Sequence, residues 1–340
     1  MIYRSKAPLR IGLAGGGTDV SPYSELYGGS VLNATISLFA HATIEPLPEN
    51  KIIIQAYDKN KTEEFDLIDK LPINGDLMLL KGVFNAIVKD YGPVNTGIKL
   101  STFVDAPAGS GLGTSSTLVV AIIGAFAEYL KLPLGEYDFA HYAYEIERNQ
   151  LKMAGGKQDQ YAATFGGVNF MEFYTDDKVI VNPLRIKQNY LLELENNLLL
   201  YHTTINRNSS EIIEQQAKNV IEKMESSIEA MHQLKQQAIL MKEAVLKGNL
   251  DDIGEIFDFG HKQKIKMAEG ISNPLMEEIY MAAKNAGATG GKISGAGGGG
   301  YMIFYCPYHT KYNVIKELKK FGGENRNYQF VKHGLKTWTI

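Results

Sequence analysis

From Asp105 to Ser116 the chain reads Asp-Ala-Pro-Ala-Gly-Ser-Gly-Leu-Gly-Thr-Ser-Ser, then runs straight into the apolar stretch Leu118 to Leu130. Glycines at 109, 111 and 113 let backbone N–H groups turn toward an anion with no Cβ in the way. A helix that follows aims the positive end of its dipole at the same anion. Thr114, Ser115 and Ser116 at its start offer hydroxyls for capping or for a metal carried by a nucleotide. The chemistry this predicts is phosphate binding by Pro107, Gly109, Ser110, Gly111, Leu112, Gly113 and the three hydroxyl residues. An ordinary capped glycine turn is the competing reading.

Two standard nucleotide motifs are excluded. A Walker A loop needs a lysine that this loop lacks, and Gly287 to Lys292 has the wrong spacing and continues into Ile293. A GxGxxG match at Gly295, Gly297 and Gly300 leads into Tyr301 to Cys306, which reads as a strand, whereas a dinucleotide site needs a helix there. The cluster from Gly290 to Gly300 still carries seven glycines in eleven positions, costly to order without a reason; a close backbone approach to a ligand is one, and a wide hairpin is the competing reading. Two such loops suggest a polyphosphate held across an interdomain cleft.

Phosphoryl transfer also needs a metal ligand and a group that orients the acceptor hydroxyl. With 3.6-residue spacing over 136–150, Phe139, Ala140, Ala143 and Ile146 share an arc with Glu147, while Glu145 points away. A carboxylate on an apolar arc requires a cation, either Mg²⁺ or an arginine such as Arg148. Beyond it, Gly155 and Gly156 can bring Lys157 and Asp159 close to a substrate, and Asp159 is the candidate base. At the N-terminus, Ala7 to Asp19 reads as a strand that stops in Gly15-Gly-Gly and presents Thr18 and Asp19, which suit sugar hydroxyls, with a glycine turn and helix N-cap the competing reading. Arg10 beside Asp159 would favour its ionised form.

The elements that must position these groups mix strand patterns (31–44, 51–57, 97–104, 167–174) with helices at about 78–91, 115–131 and 136–150. From Ser210 to about Ala286 the pattern is helical, followed by strands near 300–306 and 328–340. The class is α+β, with a boundary between about 185 and 195, giving units of 1–190 and 191–340. The 340 residues suffice for two cores, and a net charge of −3 without basic blocks argues against nucleic acid or anionic membrane. One cysteine excludes an internal disulfide, the seven histidines lack zinc spacing, and no signal peptide or membrane span is visible. A cytoplasmic monomer or homodimer is expected.

In order, Ala7 to Asp19, Pro107 to Ser116, Gly155 to Gly167 and Lys292 to Gly300 resemble the motifs of the GHMP kinases, over nearly the whole chain. The resemblance implies an N-terminal domain of ribosomal-protein-S5 type, a C-terminal ferredoxin-like domain, and ATP with Mg²⁺ between them. It implies Asp159 as the residue that accepts or orients the acceptor proton, Arg10 beside it, and Ser115 and Glu147 as magnesium ligands. Gly109, Gly111 and Gly113 then form the phosphate loop, and Thr18 and Asp19 contact the sugar.

Within the family, the stretches 10–19, 27–36 and 155–163 resemble the heptose 7-phosphate kinase branch of sugar 1-kinases, with the kinase domain of L-fucokinase a close competitor. Galactokinase has Glu-His where this chain has Gly16 and Gly17, which disfavours galactose, and Thr114 replaces the first serine of the usual Ser-Ser pair. The implied reaction is in-line transfer of the ATP γ-phosphoryl to a sugar C1 hydroxyl. A remote phosphate on that sugar needs a cation, for which Lys157 and Arg207 are the candidates, while Gly155, Gly156, Gly295 and Gly297 approach the substrate through their backbone. A catalytically silent sugar sensor on this fold would be expected to have lost one of Asp159, Ser115 and Glu147.

Overall fold

The computed structural model describes residues 1–204 and 209–340. Strand β2 (Gly29–Leu47) is the axis of the first sheet. In its second half Ile36, Leu38, Ala40, Ala42 and Ile44 are buried, while the residues between them are partly exposed, the two-residue period of a strand with one covered face. At 19 residues it serves more neighbours than a short strand can. Along one side it pairs with β1 (Tyr3–Ala14); β5 (Gly97–Val104) takes Ala40–Leu47, and β6 (Val168–Phe173) takes Gly29–Ala34. The parallel strand β3 (Lys51–Ala56) extends the sheet from β5, and β4 (Lys61–Asp66) and β7 (Val179–Pro183) close its ends.

Helices cover this sheet on the core side. α1 (Tyr23–Tyr27) follows the glycine turn, and α2 (Met78–Tyr91), α4 (Glu136–Tyr144) and α5 (Gln158–Phe165) surround α3 (Thr114–Leu130). All twelve residues from Ser116 to Ala127 are buried, which only a helix apolar on every side can sustain. α3 lies against β1 and β2, so its N-terminus is fixed by the sheet.

The second unit begins with α6 (Gln188–Asn197) and β8 (Leu198–His202). Its sheet has the order β11-β8-β10-β9, from β9 (Gly290–Ile293), β10 (Tyr301–Tyr305) and β11 (Glu324–Asn325). The helical run splits into α7 (Ser209–Ile221), α8 (Glu225–Lys247), α9 (Ile253–Lys264) and α10 (Pro274–Asn285), followed by α11 (Thr310–Leu318). Its breaks have local causes: Gly248 ends α8 in the left-handed region, and the Asn273 side chain caps α10 by accepting from Met276 N, with Pro274 in the first turn. The largest core cluster joins Leu9 and Ile44 of the first sheet and Phe126 of α3 to Leu200, Met241 and Ile303 of the second unit.

Two elements differ from the sequence reading. The strand expected over 328–340 is confined to β12 (Lys336–Thr339), which pairs with β1 from Tyr3–Thr339 to Lys6–Lys336. The end of the 191–340 segment therefore builds into the first sheet, because the free edge of β1 takes it. The helix expected over 136–150 is α-helical only to Tyr144 and winds as a π-helix over Glu145–Gln150. Among the described residues, no helix is long and apolar enough to cross a membrane.

Candidate active site

The two glycine loops touch each other. Ser110 O accepts from Tyr301 N at 3.0 Å, and Gly111 O accepts from the Ser294 hydroxyl at 2.8 Å. Gly111 has φ +80°, and a Cβ there would lie 2.6 Å from Ser294 O; one on Gly295 would lie 2.6 Å from Gly111 Cα. Glycine is required at both positions by the approach of two backbones. The first loop is thus shaped partly by the second unit. It leads into α3, whose dipole reinforces an anion site at the loop.

Beside the loop stands an ion pair that joins three segments. Arg10, at the middle of β1, donates through Nε to Asp159 Oδ1 at 2.6 Å and through Nη1 to Gly111 O at 2.8 Å. Asp159 lies in the first turn of α5, and its carboxyl carbon is 3.0 Å from the place a Cβ on Gly113 would take. Among the described residues the contacts of Asp159 are made at Oδ1, and its carboxylate lines the cleft.

Glu147 sits where the π-helix meets the start of α3 and is 1% exposed. Its Oε1 accepts from the Ser115 hydroxyl at 2.7 Å; its Oε2 accepts from Ser116 at 2.7 Å and from Gln160 Nε2 at 2.8 Å. Arg148 lies 3.3 Å from the same carboxylate. Of the two expected partners the structure shows the arginine, and the hydroxyl oxygens of Ser115 and Ser116 stand beside the same carboxylate. A carboxylate with a neighbouring hydroxyl fits a hard divalent cation.

Arg10, Asp19, Glu147 and Asp159 line one open cleft of about 320 Å³ together with Gly109, Gly111, Gly113 and the hydroxyl residues Thr114 to Ser116. Gly155, Gly156 and Gly295 line it as well. Asp19 is held rigidly: Oδ2 accepts from Gln158 N and Oδ1 from Gln158 Nε2 and Gly17 N. A Cβ on Gly156 would lie 1.9 Å from Asp19 Oδ2, so the paired glycines there are a packing requirement.

Other expected site residues lie elsewhere. The Thr18 hydroxyl donates to Gly15 O and accepts from Ser30 N, so it ties the glycine turn to β2 and is turned away from the cleft. Lys157 is buried in ion pairs with Glu25 and Asp177 and does not line the cleft; two carboxylates satisfy its charge. Pro107 is exposed, Ser110 is buried behind the loop, and the Leu112 side chain belongs to the core. Gly297, with φ +115°, packs against Ile271. Arg207 lies outside the described residues.

Two lysines and one glutamine were missed by the sequence reading. Lys264, at the end of α9, lines the cleft with its ammonium 3.5 Å from Gly16 O. Burial lowers it from the ordinary lysine value to about 8, with Asp19 opposing the shift and Arg10 adding to it. Lys292 on β9 donates to Gly12 O at 2.8 Å, and burial drives it well below the usual lysine range, with Lys264 and Arg10 adding to the shift. Gln216 of α7 also lines the cleft. A signal existed: Ile253, Phe257, Gly260, His261 and Lys264 are the buried face of α9 at helical spacing, the same pattern that singled out Glu147.

Comparison with known proteins identifies the family of this fold. Residues 78–167 match the GHMP kinases N-terminal domain and residues 241–324 the GHMP kinases C-terminal domain. The chain is 48% identical over 337 residues to D-glycero-alpha-D-manno-heptose 7-phosphate kinase of Campylobacter jejuni, covering 99% of each. It is 28% identical to the L-fucokinase/L-fucose-1-P guanylyltransferase of Bacteroides fragilis, covering 97% of this chain and 37% of that protein. A crystal structure described as a D-glycero-D-manno-heptose 1-phosphate kinase from Bacteroides thetaiotaomicron superposes with a TM-score of 0.84 at 44% identity, covering 99% of both chains.

Proposed function

The chain belongs to the GHMP kinases, and from that premise we propose that it transfers the γ-phosphoryl group of ATP to the anomeric hydroxyl of D-glycero-D-manno-heptose 7-phosphate. It is a phosphotransferase with an alcohol group as acceptor, and ATP is the donor its family implies. The observation that carries the chemistry is the Arg10–Asp159 pair set against Gly113 of the phosphate loop. The near-full-length likeness to a heptose 7-phosphate kinase supports the acceptor.

Positioning and charge stabilisation do most of the work in phosphoryl transfer. Backbone N–H groups of the loop from Pro107 to Thr114 hold the phosphate tail, aided by the dipole of α3. Asp159 orients the acceptor hydroxyl and takes its proton through Oδ2, while Arg10 fixes the carboxylate through Oδ1. Asp19, locked by Gln158 and Gly17, accepts from neighbouring sugar hydroxyls. Ser115 and Glu147 present the donors for Mg²⁺, which when bound neutralises charge on the transferring group.

An ADP-coupled assay against heptose 7-phosphate, fucose, galactose and mannose tests the acceptor. ³¹P NMR of the product should show a 1,7-bisphosphate. Turnover confined to unphosphorylated fucose would overturn the heptose assignment.

A further inference from the structure

Among the described residues, three cationic side chains line the cleft. Arg10 is paired with Asp159 and Arg148 with Glu147. Lys264 has no carboxylate within ion-pair distance among the described residues, and its single hydrogen bond is the 3.5 Å contact with Gly16 O. Its side chain is only 4% exposed, so bulk water does little to solvate the charge. A buried ammonium left in that condition is costly unless a ligand supplies the missing anion.

A second donor lines the same cleft. Gln216 is 2% exposed, and its buried Nε2 has no hydrogen-bond partner among the described residues. A Cβ placed on Gly16 would lie 3.9 Å from the Lys264 ammonium, and one on Gly17 would lie 3.8 Å from Gln216 Oε1. The missing side chain at Gly16 leaves the approach to the ammonium open, whereas a Cβ on Gly17 would meet Met267 Cε at 2.4 Å, so that glycine seats Met267 beside Gln216. Ser209 and Ser210 at the start of α7 line this part of the cleft, where the helix dipole also favours negative charge.

We propose that Lys264 and Gln216 form the receptor for a phosphate carried by the acceptor away from its reacting hydroxyl. This rests on the sugar 1-kinase reading above and makes that pair the determinant of choice between a sugar phosphate and the free sugar. Arg10 and the glycine loop are committed to Asp159 and the donor phosphates, so an acceptor bound across Asp19 extends its far end toward α7 and α9. The Lys264 ammonium and the Gln216 amide then supply charge-assisted and neutral donors to the phosphate oxygens.

The test compares kcat/KM for D-glycero-D-manno-heptose 7-phosphate with that for unphosphorylated D-glycero-D-manno-heptose in the wild type, K264Q and Q216E. Calorimetric titration of the 7-phosphate without ATP serves as a second readout, and thermal melts check folding. The expected result is a wild-type preference for the phosphorylated sugar that falls about ten- to a hundredfold in each variant, with a matching rise in Kd. Two variants on different helices keep the test valid if one fails to fold. A wild-type preference that both folded variants retain overturns the receptor and leaves the kinase reading standing. A wild type with no preference for the 7-phosphate overturns the heptose 7-phosphate reading and the receptor with it.

Discussion

Arg10 holds Asp159 and the Gly111 carbonyl with the same guanidinium, at 2.6 Å and 2.8 Å, so one side chain sets the Asp159 carboxylate against the glycine loop. Asp159→Asn keeps the shape but removes the proton acceptor. Turnover should fall by roughly a hundredfold or more, with KM for ATP and the melting curve little changed. Near-normal kcat would remove Asp159 from the mechanism.

Glu147→Gln should act through the cation. The amide cannot replace both carboxylate oxygens that now accept from Ser115, Ser116 and Gln160. The Mg²⁺ concentration for half-maximal activity should rise by at least about tenfold, measured by titrating the metal at saturating ATP. An unchanged Mg²⁺ requirement would leave Glu147 only its structural role as partner of Arg148, Ser115, Ser116 and Gln160.

The contact between the glycine loops can be isolated by a paired substitution. Gly111→Ala puts a Cβ 2.6 Å from Ser294 O at φ +80°, whereas Gly92→Ala meets nothing within 4 Å at φ +92°. Both carry backbone strain of about 1–3 kcal/mol. Only the first should lose further stability and raise KM for ATP; equal melting temperatures would show that the loops yield freely.

The pH profile should carry the Lys264 charge. Burial places that group at about 8, with Asp19, Arg10 and Lys292 as the charged groups around it. The protonated form attracts a phosphate, so kcat/KM for the 7-phosphate should hold below that value and fall as pH rises through it. K264Q should lack this limb, and the free sugar should show none. A wild-type limb that persists unchanged in K264Q would assign it to another group.

Lys157→Met should be a stability variant. It strands Glu25 and Asp177 without their shared cation, at a cost of about 1–3 kcal/mol read from thermal unfolding. Selectivity for the phosphorylated acceptor should stay as in the wild type. Its loss would return Lys157 to the substrate site.

The sequence showed much of this site because its groups carry local signals. Gly109, Gly111 and Gly113 ahead of an apolar helix mark a cradle, and Glu147 betrays itself as a charge on an apolar arc. The direction of a side chain after a glycine turn has no such signal. Lys157 and Thr18 sit within the expected motifs, yet residues outside those motifs, Glu25, Asp177 and Ser30, decide where they point. Lys264 stood on a helical stripe as Glu147 did, but the long run of helix around it gave no motif to draw attention. The π-helical winding at Glu145–Gln150 was also hidden, since the side-chain pattern over 136–150 satisfies the ordinary helical period.

The pairing of β12 with β1 makes the first sheet wait for the rest of the molecule: Tyr3 meets Thr339, and Ile2 N donates to Ile340 O at 2.8 Å. Contacts so remote in sequence slow folding, because a very large loop must close before they form. A fragment stopped near residue 190 would bare the ladder edge of β1 and part of the shared core, inviting strand exchange and aggregation between copies. Circular permutants that join the two termini and open elsewhere should escape that hazard, since the outer strand would then be made early.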